Sequence, residues 1–219
     1  MFSPLKPFNI PLRVCTFAQK QNDSMILPIV AYGDPVLRKV AKEIDADYPN
    51  LKELIDNMRQ TMYNASGVGI AAPQIGKSIR LFIIDATPFA EDEELPEEDR
   101  NQLKDFNKVF INPQVIEEDG DDWAFNEGCL SIPDIREDVF RPESVTFEYQ
   151  DENFENHTKT LTGVAARVFQ HEYDHLEGIL FTDKLSSLKK RILKKKLDKI
   201  STGKINIEYR MRFPNLKKK

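Results

Sequence analysis

The chain reads as a mixed fold of helices and antiparallel strands, and three stretches predict it. Between Asn50 and Ser66 the apolar residues Leu51, Leu54, Ile55, Met58 and Met62 recur at helical spacing, as in an amphipathic helix packing on a core. Ser144 to Gln150 alternates instead, with Val145, Phe147 and Tyr149 on one face; Asp151-Glu152-Asn153 turns, and His157 to Leu161 pairs back as an antiparallel hairpin. Gln170 to Gly178 returns to helix and carries His171 and His175. At about 100° per residue, side chains four apart on a helix point the same way.

Size and composition suit a soluble globular protein: 219 residues, 40% hydrophobic and 31% charged. No run of about 18 apolar residues occurs, so no transmembrane helix is expected. The two cysteines, Cys15 and Cys129, sit in unlike contexts, which argues against a disulfide framework and for a reducing, cytoplasmic compartment. The net charge of -5 hides an asymmetry, because Lys184 to Lys219 holds 14 Lys and Arg against only Asp198 and Glu208. The body is acidic and the tail basic.

In chain order, residues 1–24 contain Pro4, Pro7 and Pro11 and no clear period. They are expected to be a mis-called start or a weak leader, with translation beginning naturally at Met25. Asp34-Pro35 places an N-cap before a proline at the first helical position, so a short helical turn over Val36 to Val40 follows. After the amphipathic helix, Gly67-Val68-Gly69-Ile70-Ala71-Ala72-Pro73-Gln74 brings small residues and one amide side chain, Gln74, close to whatever lies beside it. Ile79 to Asp85 is a strand buried on both faces. Pro88 to Asn107, rich in Asp, Glu and Pro, is expected as a partly mobile surface excursion with few residues able to join a core. Val109 to Ile116 resumes strand character, and Asn112-Pro113 marks an edge or a bend.

Trp123 to Pro133 carries Glu127-Gly128-Cys129-Leu130-Ser131. A lone cysteine is most often a small buried apolar residue, but a metal on a two-histidine helix wants a soft third ligand, and Cys129 is the thiol set in such a turn. Arg136 and Arg141 either hold Glu127 or bind an anionic end of a substrate, and the sequence does not separate these; Arg136 is the substrate-binding candidate. His157 is expected to face water. Thr162 is the expected cap of the final core helix and Gly178 its end. From Leu185 the residues Leu188, Ile192, Leu193, Leu197 and Ile200 trace an apolar stripe among Lys189 to Lys199. A membrane surface, a calmodulin-like partner and ribosomal RNA each suit such a basic helix. Three regions follow: 1–24, a catalytic region 25–185, and a basic helix and tail over 186–219.

On the helix motif, Glu172 adjoins the first histidine, where a carboxylate serves as general base beside a metal. His-Glu-x-x-His alone fits a zinc endopeptidase, although no histidine follows His175 to supply the usual downstream ligand. A metal or oxidant sensor is the other rival.

Taken together, the stretches Gly67 to Gln74, Glu127 to Ser131 and Gln170 to Leu176 resemble the three motifs of the peptide deformylases, in order and without a departure. The resemblance spans about Met25 to Leu185. It implies an α+β fold with antiparallel sheets wrapped about the central histidine-bearing helix, and removal of the N-formyl group from the initiator methionine of nascent chains. It implies that Cys129, His171 and His175 bind one metal, usually Fe(II), with Zn(II), Ni(II) or Co(II) able to substitute. Glu172 then moves the proton, the Gln74 amide and the Leu130 backbone N–H receive the oxyanion, Gly69 offers main-chain groups to the peptide, and Val168 lines the methionine pocket. The expected partners are formyl-methionyl chains and the ribosome, the latter through the basic helix, and neither a membrane nor DNA.

Overall fold

The structure is a computed structural model and describes residues 25–215; the expectation for residues 1–24 and Cys15 lies outside them. Strand β1 (Ile29–Val30) leads to a 3-10 turn at Pro35–Arg38, where Asp34 accepts a hydrogen bond from Val36 N at 3.0 Å. Helix α1 (Leu51–Asn64) is followed by β2 (Gly69–Ala71), a 3-10 turn at Ala72–Ile75, and β3 (Leu81–Asp85). Helix α2 (Glu97–Leu103) precedes the long strands β4 (Asn107–Cys129) and β5 (Ile132–Gln150), then β6 (Asn156–Thr162). Helix α3 (Gly163–Leu176), helix α4 (Ser187–Ser201) and β7 (Met211–Arg212) complete the order.

This is an α+β arrangement. Five strands form one antiparallel sheet in the order β2-β3-β4-β5-β6, while β1 and β7 pair in parallel as a separate two-stranded sheet. The expected antiparallel pattern thus holds for the large sheet and not for the small one. Strand β3 is buried throughout because the sheet is covered on both sides. Phe82 and Ile84 pack with α3, and Leu81 and Ile83 pack with α1. Against α3 the Phe82, Phe110, Phe147 and Phe169 rings interlock, with Phe147 and Phe169 stacked at 3.7 Å. Truncating such a buried ring costs about 3–5 kcal/mol, so Phe169 fixes the histidine-bearing helix to the sheet.

Four expectations change. The acidic excursion is ordered: α2 turns inward, and Leu103 and Phe106 join the core beneath α3. Asn112 marks a bend and not an edge, since β4 lies in the middle of the sheet and its pairing with β5 shifts between Ile111 and Gln114. Thr162 occupies the cap position of α3 without a capping hydrogen bond; its hydroxyl accepts from Gln102 Nε2 at 3.1 Å. The apolar stripe of α4 is divided, with Leu193, Leu197 and Ile200 buried and Leu188 and Ile192 exposed. The segment from α4 to β7 packs on the body, because β7 pairs with β1 and α4 covers Ile132, Ile135 and Val139. No helix among the described residues is long and apolar enough to cross a membrane.

Candidate active site

Helix α3 runs through the middle of the molecule, and its residues are buried almost all round. His175 is 1% exposed, the His171 side chain is 11% exposed, and Cys129 is half-buried. Cys129 ends β4, where the β4–β5 register breaks and the two-residue turn Leu130–Ser131 begins. That break carries the sulfur to the helix: Cys129 Sγ lies 3.3 Å from His175 Nε2. One ligand atom each from Cys129, His171 and His175 fall within 4.8 Å of one another. A thiolate and two imidazoles in that space are a donor set for a divalent transition metal with a further position left open.

The ligand orientation has its own support. His171 Nδ1 donates to Glu127 Oε2 at 2.8 Å, which fixes the tautomer and leaves Nε2 free to bind an ion. Glu127 is held by Arg141 through Nε to Oε1 at 2.7 Å and Nη2 to Oε2 at 3.0 Å. Arg141 also donates to Asp174 Oδ2 at 2.6 Å. Arg167 donates to Glu127 Oε1 at 3.2 Å and to Trp123 O at 2.7 Å, with its guanidinium 4.6 Å from the Trp123 ring. Burial works against the Glu127 charge, yet His171 and Arg141 hold its carboxyl well below the usual range. Of the two expected arginine roles, Arg141 holds Glu127, while Arg136 lines the cavity and is steered by Asn126 through Nε to Oδ1 at 2.8 Å.

All the expected site residues except His175 line one cavity of about 590 Å³. Glu172 is 4% exposed, and its Oε2 has no hydrogen-bond partner. Burial, with the Glu127 charge adding to it, pushes the Glu172 carboxyl up to about 7. Burial acts in the opposite sense on His175 and, with His171 and Arg141, holds its ring neutral. For His171, burial is outweighed by Cys129 and Glu127, which raise it. Gln74 is anchored by its own turn: Oε1 accepts from Ala71 N at 2.7 Å, and Nε2 points to Cys129 Sγ at 3.5 Å. Gly69 lies on β2, one of the two outer strands of the sheet, with one edge unpaired by the sheet. Val168 is 7% exposed on the cavity wall beside Phe89 and Phe125.

A profile of the polypeptide deformylase family matches residues 26–191. The chain belongs to the peptide deformylase family. A peptide deformylase of Christiangramia forsetii is 69% identical over 194 residues, covering 89% of this chain and 99% of its own. One from Flavobacterium johnsoniae is 61% identical over 194 residues, with the same coverage of 89% and 99%. The crystal structure of Arabidopsis thaliana peptide deformylase 1B in complex with an inhibitor superposes with a TM-score of 0.69 at 35% identity, over 81% of this chain and 92% of that one. Deformylases are metal-dependent hydrolases that remove the formyl group from an N-terminal methionine, and this chain is an enzyme of that family.

Several residues of the candidate site were not assigned a place in it from sequence. Arg167 was given no role, Asp174 stood in the third motif without one, Phe89 fell in the acidic excursion, and Ile207 and Tyr209 line the cavity from beyond α4. The one available signal was charge: Arg167 and Asp174 sit on a helix whose other positions are almost all buried, where ions need partners.

Proposed function

We propose that Cys129, His171 and His175 hold one Fe(II) and that Glu172, Gln74 and the Leu130 N–H carry out the deformylation of nascent formyl-methionyl chains in the cytoplasm. The observation that carries this reading is the cluster of the Cys129 thiol with the His171 and His175 imidazoles, at the wall of a cavity that Cys129, His171, Glu172 and Gln74 line. The donor set fits a transition metal, and thiolate with imidazole suits Zn(II) as well; the preference for iron comes from the family. When bound, the ion acidifies a water and polarises the formyl carbonyl.

The chain's own groups do the rest. Glu172, buried with a free oxygen, takes a proton from the attacking water and returns it to the departing α-amine. Gln74 Nε2 and Leu130 N–H donate to the oxygen of the tetrahedral adduct, each such donor being worth about 3 kcal/mol. The free edge of β2 at Gly69 takes the peptide as an added strand, which reads backbone and not sequence. Val168 closes the methionine pocket, and Arg136 contacts the substrate.

Anaerobically purified enzyme is incubated with formyl-Met-Ala and with an unblocked peptide. Formate from the first and no internal cleavage of the second is expected; cleavage of the second would point to a peptidase. Metal analysis of the same preparation is expected to find iron.

The basic face of α4 supports ribosome docking, since Lys194, Lys195 and Lys196 are exposed. Their charge reversal is expected to lower ribosome co-sedimentation and its salt dependence.

A further inference from the structure

Tyr209 lies more than thirty residues beyond the last motif, yet its side chain reaches the active-site cavity. Its hydroxyl donates to the Leu130 carbonyl at 2.7 Å. The segment that carries it is pinned by the small sheet, where Ile29 N donates to Arg210 O and Ala31 N to Arg212 O, each at 2.9 Å. The chain just after β1 holds the next residue of the turn, since Tyr32 N donates to Ser131 O at 2.8 Å. On the inner side, Leu130 packs on a residue without a side chain: a Cβ on Gly67 would meet Leu130 Cδ1 at 2.8 Å.

Leu130 and Ser131 fall between Cys129 and Ile132, the last pair of the β4–β5 ladder. Neither residue has a ladder partner of its own: the plane before Leu130 meets the ladder through Cys129, but the plane after it has no ladder tie and must be oriented from elsewhere. We propose that Tyr209 is a positioning residue for deformylation: its phenol clamps the Leu130 carbonyl, fixing the peptide plane after Leu130, and so restrains from that side the Leu130 N–H that receives the oxyanion. Two peptide planes share the Leu130 Cα. With the preceding plane tied to the ladder through Cys129 and the following plane tied by Tyr209, the donor is left little freedom. The segment after α4 is then part of the catalytic machinery, and β7 is what anchors it. This inference rests on the oxyanion role proposed for Leu130.

The test is Tyr209→Phe, which removes the hydroxyl and keeps the ring. The expected result is a kcat for formyl-Met-Ala lowered about fivefold, the size of one neutral hydrogen bond lost at the Leu130 carbonyl, with KM, bound metal and urea midpoint close to wild type. A kcat within about twofold of wild type would overturn the proposal, and so would a loss that tracks lost metal or lost folded protein. Wild-type enzyme that releases no formate would count against the proposed function instead. In Tyr209→Leu the cavity also loses a wall, and the same fall in kcat is expected together with a raised KM; a raised KM with unchanged kcat would overturn the clamp.

Discussion

The Glu172 side chain rests against the Cα of Gly69: a Cβ built on that glycine would meet Glu172 Cδ at 2.7 Å and Cγ at 2.9 Å and overlap Oε1. The outer strand that is to receive the peptide and the carboxylate that is to move the proton are thus in contact, and only glycine allows it. Gly69→Ala is expected to retain metal and fold while losing about a hundredfold in kcat, because a displacement on the order of 1 Å takes the carboxylate off the reacting water. Steady-state kinetics with metal analysis checks this. Near-normal turnover would mean that Glu172 shifts without cost.

Ligand and proton carrier separate in a pair of variants. Glu172→Ala is expected to keep its metal and lose about 10²–10⁴-fold in turnover, whereas Cys129→Ala is expected to lose the metal itself. Metal content by elemental analysis and formate release are measured on the same samples. A Glu172→Ala enzyme of wild-type activity would remove the acid-base assignment.

Arg141 bridges Glu127 and Asp174, and all three are buried. Arg141→Leu leaves two buried carboxylates short of their cation, which costs about 3–5 kcal/mol. With Glu127 released, His171 loses its orientation, and metal affinity is expected to fall about 10- to 100-fold. Urea unfolding and chelator competition report the two effects independently. Loss of stability with unchanged affinity would show that Glu127 is held by Arg167 alone.

Asp85 predicts an acid limit to stability. Burial alone would raise its carboxyl, but hydrogen bonds from Thr87 and Tyr63, at 2.6 Å each, hold it below its ordinary value. A folded-state pKa below the unfolded one adds stability that is present above the unfolded value, near pH 4, and is lost as pH falls through the folded value. The stability advantage of wild type over Asp85→Asn is therefore expected to be constant near neutrality and to shrink below about pH 4. Urea midpoints of both proteins across that range measure it. A gap that widens on acidification would reverse the sign.

The helix α1, the hairpin of β5 and β6, the turn after Asp34 and the Gly178 end of the α3 region were legible because each is written in local order. Periodicity, turn residues and caps depend on neighbours a few positions away. The same holds for the three motif stretches, whose spacing along a helix or a turn limits what chemistry they can serve. The inward packing of α2 was not legible, since Leu103 and Phe106 stand among acids and only the underside of α3 gives them somewhere to go.

By itself, then, the sequence determined the proposed ligand types, the helix that aligns His171 with His175, and the family through its motifs. The tertiary structure alone decided how they are held. The register break that delivers Cys129 to the helix, the choice of Arg141 over Arg136 as the partner of Glu127, and the reach of Tyr209 back to Leu130 all join residues far apart in the chain. Such contacts leave no local pattern to read, because burial and hydrogen-bond satisfaction are imposed by the closed core and not by neighbours in sequence.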